Sequence, residues 1–506
     1  MKNLIVCLLV FGLLNTGVFA QLGVDPTFGA GGGNFYNYGP LASAEGMAIT
    51  SDNKIILVSG CYLGLDGVGF PFCALRLNEN GQIDNTFAGG RPPFSSGPGV
   101  FTSLNSSTYG GVYGVAVQSD DKVVAVGYGP GSGDDNIAMV RYDPDGSLDS
   151  SFGSGGLVIA DIGPGLSDRA QDIAIQPDGK IVIVGYSGND QILARYLPNG
   201  TPDSSFGTGG VARTTISGST IRGNALEIMH DGRIMAGGYV IGSSYLVTRH
   251  NSDGSPDTTW DGDGILTGPL DSILSIAVQL DGRVVALGST KALYRFNTNG
   301  SPDTTFDGDG ISTAVLPVSV YDMAVSASGR ITVVGSQPFA LHTGGPWWTY
   351  RAARYLPDGS PDGYLEIDVG VNRNDGATVV AFDSVGRTVI GGFSAGGSAA
   401  VPWEWPLFAA ARLSAPPVMP VSVSGRVVGP NGNGIANATV SAQGISAQTN
   451  PFGYYTLNNI ETNRTYAFTV RAKNDLTFFK RTILVDGQIS GLDFVGQQLG
   501  SAKSTK

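Results

Sequence analysis

Carboxylates at alternating positions in Asp261-Gly262-Asp263-Gly264 and Asp307-Gly308-Asp309-Gly310 have a spacing that can converge on a hard cation such as calcium. Asp303, Asp307 and Asp309 form the best candidate group for that chemistry. Against it, the same stretch reads GSGG at Gly153 to Gly156 and GTGG at Gly207 to Gly210, so the turn forms without acids. The DxDxDG calcium loop with its distant Glu is also absent. Of the three histidines, His230 stands where equivalent segments hold Pro177 or Leu280, and His250 where they hold Tyr142 or Tyr196, which gives both a structural role. Only His342 lies elsewhere, in a long loop, and no nucleophile motif accompanies it. GxSxG, P-loop, dinucleotide and HExxH signatures and clusters of Cys and His are missing, so no catalytic residue and no cofactor other than calcium is assigned.

The most regular pattern joins an Arg to an Asp eight residues later: Arg76 and Asp84, Arg141 and Asp149, Arg195 and Asp203, Arg249 and Asp257, Arg295 and Asp303, Arg354 and Asp362. A pair present in every unit reads as a stabilising ion pair and not as a binding site, because a site needs asymmetry. The units themselves are all-β. AQDIAIQ alternates, PDGK turns, IVIVGYS and ILARYL are strands, and DSSFGTGGVARTTI is a bend and a fourth strand. Four short antiparallel strands per unit of fifty to sixty residues is the pattern of a β-propeller blade, and seven blades cover residues 21–417. The seventh Arg, Arg412, has no Asp after it, whereas Asp25-Pro26-Thr27-Phe28-Gly29 is an orphan copy of the missing piece. The segment Leu22 to Tyr38 is therefore expected to supply the fourth strand of the last blade, bring Asp25 to Arg412 and close the ring, which also hides the edge strands.

Units of the form ARYxPDGSxDxxFGxGG resemble the delta-60 repeat, a bacterial family whose fold is taken to be a β-propeller. Residues 418–420 are a proline-rich linker. Beyond them VSVSGRVV, PNGNG, ATVSAQG and TNPFGYYTL resemble a carboxypeptidase regulatory-like domain, which implies a small transthyretin-like β-sandwich over residues 421–499 and a polar tail over 500–506. That resemblance links the module to carbohydrate-binding-like folds and imports no peptidase activity.

Residues 1–20 read as a secretory signal: Lys2, an apolar run from Leu4 to Leu14, and Val18-Phe19-Ala20 before Gln21. No stretch is suited to a transmembrane span. The protein is thus expected to be secreted or extracytoplasmic, in the periplasm or at the cell surface. A net charge of −12 makes nucleic acid and anionic membranes poor partners. Cys61 and Cys73 flank one loop, and in an oxidising compartment they read as a disulfide ahead of a metal or catalytic pair.

Asymmetry enters in the loops between strands two and three. They lengthen in copies one (Cys61 to Cys73), six (Gln337 to Trp348) and seven (Ser394 to Leu407), which ring closure makes neighbours on the face opposite the DG turns. Trp347, Trp348, Trp403, Trp405, Phe339, His342, Tyr62, Phe70 and Phe72 fall in or beside these loops. Such a cluster suits a glycan or protein ligand, unless the rings pack on one another or on the C-terminal module. The function expected is a secreted, non-catalytic binding or scaffold protein. The alternative is an extracellular polysaccharide-acting hydrolase or lyase, using carboxylates of the central channel or, beside His342, Asp66 or Glu404.

Overall fold

The computed structural model describes residues 24–29, 33–36, 43–60, 72–87, 100–102, 110–131, 133–313, 319–339, 347–367, 373–396, 407–414, 419–472 and 476–498. All regular structure among them is strand. Seven four-stranded antiparallel sheets form the blades, each running outward in chain order except the last. Blade seven takes Arg373–Phe382, Thr388–Gly396 and Leu407–Arg412 from the C-terminal side and Gly33–Tyr36 from the N-terminus, with Gly33 opposite Ala411 and Tyr36 opposite Phe408. Each inner strand packs against the next, and that of blade seven packs against that of blade one, so the ring is closed.

The apolar residues sit between blades, because every sheet has two faces to cover. Ile56, Val58 and Ala74 of blade one meet Val115, Val123 and Ala138 of blade two, and the same layering recurs around the ring to Leu57 and Leu75 against Val379 and Ala410. Strands two and three are buried on both sides, which is why Ile181–Ser187 and Asp190–Tyr196 read as apolar runs.

Inner strands depart from plain alternation. In six blades the register with strand two slips by one residue, at Tyr113, Gln171, Asn224, Leu274, Tyr321 and Thr378. A bulge turns an extra side chain off the sheet. These residues, with Glu45 at the matching place before blade one, line a central cavity of about 200 Å³. Strand two carries a glycine opposite the bulge. An added Cβ on Gly185 would overlap the Arg169 carbonyl oxygen, so the close approach itself requires glycine there.

The C-terminal domain begins its first strand at Pro420 and stacks a three-stranded sheet (Pro420–Val428, Tyr454–Glu461, Phe494–Val495) on a four-stranded one. Val423, Val427, Leu457, Phe468 and Ile489 fill the space between them. This domain sits on the DG-turn face of the ring. Leu280 and Ala327 from the turns of blades five and six pack against its core, and Asp486 accepts hydrogen bonds from Ser328 N at 3.0 Å and Ser328 Oγ at 3.1 Å. Thr465 Oγ1 donates to Ser384 O in the turn of blade seven at 2.5 Å.

Candidate functional site

The Arg of each unit is a strut between blades. Arg195 Nε donates to Asp203 Oδ2 at 2.8 Å and Nη2 to Ser205 Oγ at 3.2 Å, while Nη1 crosses to Ser252 O in the next blade at 2.5 Å. Its guanidinium lies 4.6 Å from the Phe206 ring centre. Arg76, Arg141, Arg249 and Arg295 repeat the fork on Asp84, Asp149, Asp257 and Asp303. At the ring's seam Arg412 Nε meets Asp25 Oδ2 at 2.9 Å, Nη2 meets Thr27 Oγ1 at 3.2 Å, and Nη1 reaches Glu79 O of blade one. Blade six is looser: Arg354 and Asp362 pair at 2.5 Å but are about a fifth exposed, and Leu365 replaces the aromatic ring.

Sequence reasoning overlooked a third member. The basic residue ending each DG turn also binds the Asp: Lys122 reaches Asp149 at 2.7 Å, Arg233 reaches Asp257 at 2.9 Å and Arg283 reaches Asp303 at 2.8 Å. Its signal was the Lys or Arg that recurs at that turn position. In blade seven the equivalent Arg387 turns instead to Asp383 at 2.6 Å and Glu79 at 2.5 Å. Burial works against ionisation of Asp84, but hydrogen bonds from Thr86 and the charge of Arg76 lower its pKa to about 2. Asp149, Asp203, Asp257 and Asp303 are likewise held well below the usual carboxylate range.

The three acids proposed for calcium do not gather. Asp303 is committed to Arg283 and Arg295, and Asp309 accepts from Ile311 N at 2.9 Å. Asp307 takes φ +49°, as Asp261 takes +48°, where other blades use Gly153 and Gly207 at +53° and +52°. Asp is among the few residues that tolerate this left-handed region, so the DGDG runs are turn geometry. No group of three His, Cys, Asp or Glu among the described residues is arranged to hold a metal ion. His250 is buried, which lowers its pKa to about 4, and Thr214 Oγ1 lies 3.4 Å from its Nε2.

Of the aromatic cluster, Phe72 needs correction. It is 1% exposed in strand Phe72–Leu77 and packs with Phe87 and Tyr142 between blades one and two, because strand three is covered on both faces. Phe339 and Trp347 are opposite one another at the end of a hairpin of two nine-residue strands, with Pro338 opposite Trp348, so this hairpin carries them to the loop face. Tyr62, Asp66, Phe70, His342, Trp403, Glu404 and Trp405 lie outside the described residues. So does Cys61; Cys73 is 6% exposed and disulfide-bonded.

The same face has a feature that was not expected. Tyr128, Tyr186 and Tyr239 lie near the ends of the second strands of blades two to four, and each is half-buried. Arg169 of blade three lies 3.9 Å from the Tyr128 ring centre and forks onto Asp135 with Nε at 2.8 Å and Nη2 at 2.5 Å. Arg222 of blade four lies 4.0 Å from the Tyr186 ring centre and donates to Gly188 O at 3.0 Å and Ile221 O at 2.8 Å. Tyr113 stacks on Tyr128 at 5.9 Å and also lines the cavity, so the ladder stands at the channel mouth. Blade five has Ser272 where blades three and four have these arginines, so the series stops at Tyr239.

Below the mouth the channel is acidic. Asp172 accepts from Ile173 N at 2.7 Å and from Leu226 N of the next blade at 2.8 Å; Asp322 does the same with Met323 N at 2.8 Å and Val380 N at 2.9 Å. Some solvent reaches both carboxylates, but they lie deep in the molecule. Burial raises Asp172 to about 7 and Asp322 to about 6. Burial and the charge of Asp172 raise Glu227 to about 8. Glu45 is exposed to the channel, and among the described residues no Lys or Arg lines the cavity.

Residues 118–152, 176–206 and 279–306 match the family model of a β-propeller domain of unknown function, DUF5122. Residues 422–496 match that of the carboxypeptidase regulatory-like domain. The chain is a β-propeller joined to a carboxypeptidase regulatory-like domain. Solved structures similar to this propeller protein include the WD40 β-propeller domain of Doa1, at 12% identity and TM-score 0.44 over 75% of this chain and 95% of that one. Others are YCF48 bound to D1 peptide, at 11% identity and TM-score 0.42 over 75% and 95%, and the WD40 domain of Toxoplasma gondii coronin, at 14% and 0.36 over 71% and 82%. No curated protein matches the sequence. No helix among the described residues is long and apolar enough to cross a membrane.

Proposed function

We propose that this propeller is a secreted, non-catalytic binding protein whose loop face captures a glycan or protein. The supporting observation is the place of the C-terminal domain. Its described residues dock on the DG turns through Asp486, Thr465 and Leu280, on the side of the ring opposite the strand ends that lead into the long loops of blades one, six and seven. The signal-like residues 1–20 support export. The Arg and Asp struts recur almost unchanged around the ring and serve the scaffold. Asp172 and Asp322 accept backbone N–H groups from neighbouring blades, a structural use that leaves them poor candidates for hydrolysis.

The test is capture on glycan and protein arrays by the full chain and by a variant with alanine at Trp347, Trp348, Trp403 and Trp405. Capture that falls at least tenfold in the variant, with an unchanged thermal melt, supports the reading. Undiminished capture moves the site off the loops.

A further inference from the structure

We infer that the loop-face mouth of the central channel seats a basic side chain, arginine or lysine, presented by a partner protein. The inference rests on the loop face being the binding face and names the chemistry of what binds there. The Tyr and Arg ladder provides the first argument. Tyr128 and Tyr186 each carry a guanidinium from the following blade at about 4 Å, but the following blade offers Tyr239 only Ser272. The Ser272 hydroxyl instead receives Asn224 Nδ2 at 3.2 Å. A cation brought by a ligand would continue the series on the Tyr239 face, where an aromatic ring attracts positive charge.

The cavity beneath gives the second argument. Its volume of about 200 Å³ is room for one long side chain, or for some six waters at about 30 Å³ each. Glu45, Asp172 and Asp322 line it, and among the described residues no basic one does. Arg169 at the rim is neutralised by Asp135, and Arg222 is turned to the Gly188 and Ile221 carbonyls over Tyr186. A cleft with acidic lining and low-dielectric walls concentrates cations, and the net charge of −12 acts in the same sense. A metal ion fits less well, because the acids are not gathered in threes. A neutral sugar would strip water from the carboxylates and return no charge.

The experiment is titration of the full chain at low salt and pH 8.5, where the channel acids are ionised, with acetyl-Gly-Arg-Gly-amide, acetyl-Gly-Lys-Gly-amide and acetyl-Gly-Glu-Gly-amide. The Arg and Lys peptides should bind and the Glu peptide should not. Glu45→Gln should weaken Arg-peptide binding at least tenfold while the thermal melt holds or rises. Tyr239→Ser should weaken the Arg peptide as well. Equal binding of the Glu peptide, or Arg-peptide affinity unchanged in the Glu45→Gln variant, overturns the seat. The four-tryptophan variant separates the two ideas. Arg-peptide binding kept there but lost in the channel variants upholds the seat even if the loops capture nothing. Array capture lost with the tryptophans, together with peptide binding indifferent to the channel changes, overturns the seat and leaves the loop-face reading standing.

Discussion

Arg412 shows how much one side chain can do at a seam. It is 2% exposed, forks onto Asp25 and Thr27, covers the Phe28 ring at 4.9 Å and reaches the Glu79 carbonyl of blade one. The contact joins positions almost four hundred residues apart, and the phase of the repeat alone points to it. Truncation would strand the half-buried Asp25 carboxylate and the Glu79 carbonyl, so Arg412→Ala should cost about 2–4 kcal/mol in denaturant unfolding of the full chain. Arg412→Lys should recover only part of that loss, because an ammonium cannot reproduce the planar fork. A cost below about 1 kcal/mol for the alanine variant would mean that strand pairing alone closes the ring. The partners of the strut were only half legible. The Asp could be read from constant spacing, whereas the turn Lys or Arg that shares it looked like mere punctuation until the fold brought Lys122 to Asp149.

Among the elements, the inner strand held the main surprise. AQDIAIQ alternates well enough to read as a flat strand, yet Gln171 is bulged out and Asp172 resumes the pairing opposite Val184. The bulge is visible in sequence only indirectly, through the glycine of IVIVGYS that must let the Arg169 carbonyl approach. Gly185→Ala should therefore destabilise by about 1–3 kcal/mol, the usual cost of forcing atoms into a packed site. The same change at exposed Gly209, where an added Cβ meets nothing, should act only through backbone strain of its +65° φ. Comparing the two in thermal melts separates crowding from torsion. Because the bulges of six blades face the axis, this irregularity builds most of the cavity lining, which no count of strands would have disclosed.

At the scale of the whole molecule, two sets of carboxylates pull stability in opposite directions with pH. The strut acids have folded pKa values below the usual value near 4, with Asp84 at about 2, so their contribution is complete above pH 4 and fades as pH falls toward 2. Asp322, Asp172 and Glu227 have raised folded values of about 6, 7 and 8. Their contribution is complete below about pH 4 and is lost as pH rises through 6 to 8. The melting temperature should accordingly peak between about pH 4 and 6, and Glu227→Gln should raise it at pH 8 but not at pH 4. A melt that climbs steadily to pH 8 would contradict the channel assignment. By itself the sequence determined the blade, the number of blades, the closure by the N-terminus and the separate C-terminal domain. These follow from local periodicity and from the phase of one repeated pair, both of which are written along the chain. Only the tertiary structure decided that the C-terminal domain covers the turn face, that Phe72 is core, and that tyrosines, arginines and acids from different blades meet at one mouth. Those outcomes depend on which residues of separate blades converge on the axis, and convergence in space leaves no spacing to read.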